Sequence, residues 1–428
     1  MVPEFSLTRL IQQLQTETIS LTGYLEQTLE RMEQIEPVIH SFLPEENRKL
    51  RLLLEAKALL ERFPAARRKP PLYGILVGVK DIINVDHLPT SAGSKLPASA
   101  FSGEEAAIVT RLKEAGALIL GKTACTEFAY FQPGKTKNPH KPAHTPGGSS
   151  SGSAAAVAAG ITPLTLGTQT IASIIRPAAY CGVFGFKPSY NRIPLSGVFP
   201  FSHSADHLGF FTPDLEGISL TAKAVIENWN ERVLPEKPVL GIPASDYLNQ
   251  ADEPALRSFK ETVDKLRKSG YEIHNSSLFS KIRSINELHQ DLIAAEFAQN
   301  HKELYHQYSS LYSEHSAWLF LKGQQIAKER LETAREHQQI LRYEITEIME
   351  REEVDLWITP AATTAAPEGL DSTGSPLMSL PWTFAGLPSL SIPSAKNEKG
   401  LPLGLQIVSS FGEDESLLSY AREITESI

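Results

Sequence analysis

The stretch "TPGGSSSGSAAAVAAGITPLTLGTQTIASIIRP", Thr145 to Pro177, decides how this chain is read. A flexible Gly/Ser linker does not normally run straight into a compact alanine-rich helix and then a strand. Here "SGSAAAVAAG" predicts a helix stopped at Gly160, and "PLTLGTQT" predicts the strand that follows. Glycines at the start of the stretch allow close backbone approach. Three consecutive serines before a helix N-terminus can donate, accept and relay protons. At the far end Ser173 sits just past a strand, with Arg176 three residues on. Tight catalytic turns favour glycine before such a serine, yet Ile171 and Ala172 stand there.

Working outward, the chain alternates strand and helix signals. "LYGILVGVKDII" reads as a buried strand entering a turn, with Lys80 at the end of its apolar run. "AAIVTRLKEAGALILGKTAC" reads as helix, glycine stop and strand. Residues 6–64 read as helices with Ser6 and Thr22 as N-caps. "KPVLGIP" and "GYEIHNSS" read as strands flanking a helix, 285–350 as mostly polar helix, and "DLWITPA", "PSLSIPSA" and "GLQIVSS" as strands before a last helix. Such alternation predicts an α/β sheet covered on both faces. No linker or repeat divides the chain. The expected organisation is a single domain over 1–428, with an N-terminal helical segment at 1–65, a core at 71–200 and a variable helical portion at 213–350.

Composition narrows the classes. The 428 residues are 41% apolar and 21% charged, as in ordinary globular proteins. A net charge of -9 argues against a nucleic-acid surface. The basic run "ARRKP" at 66–70 reads as a solvated loop. No residue from Thr145 to Ile175 is charged, but its Ser, Thr and Gly content, with Pro163 and Gln169, argues against a membrane span. Cys125 and Cys181 lack CxxC spacing, so neither a disulfide framework nor a metal site is expected, and a reducing cytoplasm suits them. The start "MVPEFSLTRL" lacks the basic-then-apolar pattern of a signal peptide.

"GALILGKT" at 116–123 matches the G-x4-G-K-[ST] pattern of a phosphate loop. The residues between its glycines belong in a core strand, so the match is read as strand and turn. His140 and His144 lie in a proline-rich loop and read as surface or structural. Lys80, Ser149 and Ser173 each stand beside a glycine-rich or strand-end turn. A lysine is more often found snorkelling at a strand end. A buried, neutral lysine becomes a base, and a base, a bridging serine and a nucleophilic serine form a relay without histidine.

These segments together resemble the amidase signature family. The resemblance rests on "GGSSSGSAAAVAAG", "LGTQTIASIIRPAAYCGVFGFKPS", "GILVGVKDIINVDHLPTSAGS", "GALILGKTACTEFA" and "DLWITPAATTAAP". It implies a large mixed twisted sheet with helices on both faces. It also implies a Ser-cis-Ser-Lys triad: Ser173 attacks an amide carbonyl, Ser149, with its own peptide bond cis, carries the proton, and Lys80 receives it. Backbone N–H groups of Thr170, Ile171, Ala172 and Ser173 would form the oxyanion hole. "GTQT" and the third serine of "GGSSSGS" are more similar to the malonamidase branch, since the tRNA-dependent amidotransferase branch usually has aspartate where Gln169 stands. In the malonamidase-like branch Arg176 would clamp a substrate carboxylate. The alternative for Arg176 is a buried tie to a neighbouring loop.

The expected function is therefore hydrolysis of a small amide through an acyl-enzyme, with no cofactor or metal, no nucleic-acid or membrane partner, and the N-terminal helices offering a homodimer face. Two further readings remain, the first of them from the departure at 171–172. If position 172 needs a left-handed backbone, alanine costs about 1–2 kcal/mol there and catalysis is impaired, leaving an amidase-like binding protein. Ile171 also adds a branched side chain where a substrate would sit. The other reading is an amidotransferase-like subunit that passes ammonia to a partner.

Overall fold

The computed structural model describes residues 6–64, 68–234, 236–243 and 245–428. Three helices come first: α1 (Leu7–Gln15), α2 (Leu21–Ile39) and α3 (Arg48–Arg62). Ser6 caps α1 by accepting the Arg9 N–H at 3.3 Å. The cap of α2 is Ser20, which accepts the Gly23 N–H at 3.0 Å, and not Thr22. Ser20 has the extended backbone a cap needs, whereas Thr22 already lies in the first turn. Of the basic run at 66–70, Ala66 and Arg67 lie outside the described residues, and Lys69 pairs with Glu17 at 2.8 Å.

The alternation then begins: β1 (Leu76–Lys80), α4 (Ala107–Glu114), β2 (Leu118–Thr123), α5 (Ser151–Ala158), β3 (Leu164–Gln169) and α6 (Ile175–Cys181). Next come β4 (Phe184–Lys187), β5 (His207–Thr212), α7 (Leu215–Val225), β6 (Leu240–Ile242), α8 (Ser245–Leu248), α9 (Glu253–Lys268) and β7 (Ile273–Asn275). A helical stretch follows: α10 (Ile282–Asn300), α11 (Lys302–Tyr308), α12 (Glu314–Gln324) and α13 (Lys328–Arg351). The chain closes with β8 (Leu356–Pro360), α14 (Leu380–Phe384), β9 (Ser389–Lys396), β10 (Pro402–Val408) and α15 (Asp414–Glu426). Two strands, β4 and β5, are not legible in the sequence. "FGFK" and "HLGFFT" are short and broken by glycine, which weakens a strand signal.

All the strands join one mixed sheet in the order β2-β1-β3-β5-β4-β9-β10-β8-β6-β7. Pairing is parallel at both ends and antiparallel through the middle, from β3 to β8. Helices cover both faces, and neighbouring phenylalanines on β5 show it. Phe211 packs in a cluster with α5 and α6, while Phe210 faces the main core that holds α7, because successive strand residues point to opposite sides. "ALIL" of the phosphate-loop look-alike is buried, its last three residues in β2, with Leu118 and Ile119 registered against Leu76 and Val77. No helix among the described residues is long and apolar enough to cross a membrane.

α10 and α12 meet at Gly323, where an added Cβ would overlap the Ala294 carbonyl. Backbone on both sides leaves no room to relax. Gly323→Ala should lower the unfolding free energy by about 1–3 kcal/mol, seen as a lower urea midpoint with an unchanged slope.

Candidate active site

β1 carries Lys80 into the sheet between β2 and β3, and the side chain is fully buried. Its Nζ lies 2.7 Å from Ser149 Oγ, 2.7 Å from Thr168 Oγ1 and 3.3 Å from the Thr168 carbonyl. Burial pulls its pKa down to about 7, against the opposing influence of Cys125 and Asp206. As a neutral amine, Lys80 can give its two N–H groups to the Thr168 oxygens. Its lone pair is then left facing Ser149. Thr168 lies inside the "GTQT" segment, but nothing in that pattern singles it out as a partner of the lysine. Only the pairing of β1 with β3 brings it to Lys80.

Ser149 follows a cis Gly148–Ser149 peptide bond. Gly148 has no room for a side chain: a Cβ would come within 2.7 Å of Thr373 Cγ2 and 3.0 Å of Thr126 Cγ2. The Ser149 carbonyl accepts the Thr126 N–H at 3.2 Å. The remaining hydroxyls of the serine run are spent on structure. Ser150 Oγ donates to the Thr168 carbonyl at 3.2 Å, Ser151 Oγ to Gly147 at 2.8 Å and Ser153 Oγ to Leu166 at 2.8 Å. The Ser150 and Ser153 bonds stitch the start of α5 to β3, the Ser151 bond closes the turn before it, and Ser149 is left as the serine of the run that meets Lys80.

The turn from β3 into α6 holds Ser173. Gln169 Oε1 accepts the N–H groups of Ile174 and Ile175 at 2.8 and 3.0 Å, capping α6 from inside the strand. Gln169 Nε2 donates to Thr383 Oγ1 at 2.8 Å, and that hydroxyl donates to the Ile171 carbonyl at 2.6 Å. Thr170 Oγ1 donates to Asp206 at 2.5 Å. Among the described residues, no hydrogen bond uses the backbone N–H of Thr170, Ile171, Ala172 or Ser173. Neither Ile171 nor Ala172 has a positive φ, so the left-handed penalty weighed for alanine does not arise. The Ile171 side chain packs in the main apolar core. Ser173 is 7% exposed, and no hydrogen bond joins it to Ser149 or Lys80 among the described residues.

Arg176 is buried on α6. Its two Nη groups donate to the Gly374 carbonyl at 2.5 Å, the Gly148 carbonyl at 2.7 Å and Thr373 Oγ1 at 3.1 Å. Burial lowers its pKa to about 10, and Nε has no partner among the described residues. The guanidinium thus ties α6 to the cis peptide and to the 373–374 loop. His140 and His144 bond the Cys181 and Ala366 carbonyls, each at 2.8 Å. Asp206 and Thr383 lie far from Ser173 in sequence and in no motif, so only the fold could find them.

The family model named Amidase matches residues 24–418. The chain is 28% identical over 465 aligned positions to a glutamyl-tRNA(Gln) amidotransferase subunit from Gloeothece citriformis, covering 97% of this chain and 96% of that protein. It is 36% identical over 231 positions to the corresponding protein from Salinibacter ruber, a match spanning 49% of this chain and 45% of that one. A solved amidase structure superposes with a TM-score of 0.88 at 29% identity, covering 97% of this chain and 98% of the other.

Removing the guanidinium strands the Gly148 and Gly374 carbonyls. Arg176→Ala should cost on the order of 3 kcal/mol in stability. Its activity, assayed below the melting transition, should fall equally on carboxylated and neutral amides. A selective rise in KM for carboxylated amides alone would instead mark Arg176 as a substrate clamp.

Proposed function

The chain belongs to the amidase family, and on that premise we propose that it hydrolyses the C–N bond of a small amide, with Ser173 as nucleophile, Ser149 as relay and Lys80 as base. The observation that carries this reading is the buried Lys80 amine 2.7 Å from Ser149 Oγ, its pKa pulled to about 7. A base poised near the working pH combines the right protonation state with driving force for proton transfer.

Ser173 Oγ attacks the amide carbonyl as its proton passes to Ser149 and that of Ser149 to neutral Lys80. The carbonyl oxygen gains the electron pair and is met by the uncommitted N–H groups of Thr170 to Ser173, an arrangement typically worth about 100- to 1000-fold per donor. Collapse expels the nitrogen, which takes the proton back from Lys80 through Ser149. Water repeats the sequence on the acyl-enzyme and frees Ser173. Ser173 must come into reach of Ser149 in the substrate complex, and catalytic hydrogen bonds often tighten only there. A selective rise in KM for carboxylated amides in Arg176→Ala is the outcome in which its unpartnered Nε meets a substrate carboxylate, both Nη groups being held. The malonamidase-like branch is part of this reading, supported by Gln169 where the amidotransferase branch has aspartate. So are a cytoplasmic setting, supported by two buried free thiols, and a homodimer through α3, where Leu50 and Leu54 stand exposed.

A second reading is favoured by the names of the curated relatives, which are components of an amidotransferase. In it, the same acyl-enzyme chemistry releases ammonia to a partner. Stable copurification of a second polypeptide, with amide cleavage stimulated by it, would favour this reading over a free-standing hydrolase.

The proposal is tested by the pH dependence of turnover. Lys80 is neutral only above its lowered pKa, so kcat/KM should rise with pH through about 7 and level off above it. A fluorophosphonate should label Ser173 with the same profile, and Lys80→Ala should abolish both. Labelling that survives in Lys80→Ala with its pH limb intact removes lysine from the mechanism. A native chain that is never labelled, but becomes so in Ile171→Gly/Ala172→Gly, is the impaired binding protein.

A further inference from the structure

We propose that Asp206 is a positioning residue: through Thr170 it holds the row of backbone N–H groups ahead of Ser173, and it anchors that turn to α10 and α13. The inference rests on Ser173 being the nucleophile. Asp206 immediately precedes β5, whose first residue, His207, registers against Gln169 at the end of β3. It therefore stands beside Thr170. One carboxylate oxygen accepts the Thr170 hydroxyl at 2.5 Å, and the other accepts the N–H groups of Phe201 and Ser202 at 2.8 and 2.9 Å. No cation pairs with it among the described residues. A buried carboxylate held only by neutral donors is costly to keep, and such groups concentrate at functional sites.

The contacts continue outward. Ser202 Oγ and the Ser204 N–H donate to one oxygen of Glu296 at 2.6 and 2.9 Å, and Ser204 Oγ to the other at 2.6 Å. Glu296 is buried on α10 and takes the Arg335 guanidinium from α13. A movement of these helices relative to the sheet would reach the turn through four residues. This gives the helical portion between β7 and β8 a task in the site, although none of its side chains bonds Lys80, Ser149 or Ser173.

Asp206 also acts on Lys80 by charge. Ser149 and Thr168 bond Lys80, Cys125 and Asp206 act on it by charge without bonding it, and Asp81, its neighbour in the chain, is paired with Lys122. The Asp206 carboxylate favours protonated Lys80 and offsets part of the effect of burial. Around Asp206 itself, burial and the Glu296 charge raise its pKa to about 6, against its three hydrogen bonds, and its charge in turn acts on Tyr190.

Three variants test this in the full chain: Thr170→Val, Thr170→Ser and Asp206→Asn, each first checked for a cooperative melt. Thr170→Val should slow fluorophosphonate labelling of Ser173 and kcat by about 10- to 100-fold with little change in KM, and Thr170→Ser should recover most of the loss. Asp206→Asn should do the same and move the Lys80 midpoint to lower pH, followed by NMR titration of the lysine, which needs no turnover. Native rates in both Thr170→Val and Asp206→Asn overturn the positioning role. An unmoved Lys80 midpoint in Asp206→Asn overturns the electrostatic one, as does an unmoved labelling limb. If Asp206→Asn does not fold, Thr170→Val against Thr170→Ser decides the positioning role alone. If the native chain is neither labelled nor active, it is the nucleophile assignment that fails. The NMR midpoint then still separates a charge that reaches Lys80 from one that does not.

Discussion

Everything in the site depends on one buried amine to which no carboxylate is bonded. Lys80 sits inside the sheet with three oxygens around it, all of them neutral: Ser149 Oγ, Thr168 Oγ1 and the Thr168 carbonyl. A carboxylate paired with a buried lysine favours its protonated form and so opposes its taking a proton. Lys122, one strand away on β2, shows the contrast. It too is buried, but Asp81 lies 3.2 Å from it, so it is part of an ion pair. Burial lowers the pKa of both, but Lys122 has a carboxylate to offset it, while Lys80 meets only neutral hydrogen-bond partners.

Placing Lys80 among neutral oxygens constrains its surroundings. β1 must lie between β2 and β3 so that Thr168 reaches it, and α5 must press its serine run onto β3. Gly148 lets the chain pass between Thr126 and Thr373 to bring Ser149 over the amine. Arg176 then holds that passage from the other side through the Gly148 carbonyl. The turn before Ser173 is braced in the same way, by side chains and not by glycine freedom. Gln169, Thr383 and Asp206 hold it from three directions, and its N–H groups remain uncommitted. That bracing is how Ile171 and Ala172 are accommodated with ordinary backbone angles, the isoleucine side chain turned into the core.

Much of this is legible without coordinates. The helix–strand order around 107–169 follows from periodicity and glycine stops, and the phosphate-loop look-alike is dismissed by its apolar filling. The serine run and Lys80 stand out because residues of those types beside glycine-rich turns are well placed for chemistry. What is not legible fails for separate physical reasons. The α2 cap lies two residues before its expected place because Ser20 and Thr22 are both good caps, and only backbone angle separates them. β4 and β5 escape notice because glycine dilutes their pattern, although β5 delivers Asp206. The penalty weighed for Ala172 presumes a left-handed turn that the chain does not make.

The sequence by itself determined the class of fold, written in apolar periodicity and glycine position, and pointed to the family through the resemblance carried by its glycine/serine block and the segments around Lys80 and Ser173. The tertiary structure decided what those residues face. Thr168, Asp206 and Thr383 become neighbours of the site only through strand order and helix packing, across separations no local pattern records. It also decided that the Arg176 guanidinium is largely spent on backbone carbonyls. A side chain's chemistry is intrinsic, but its charge state and its partners belong to the environment, and that exists only once the sheet is assembled.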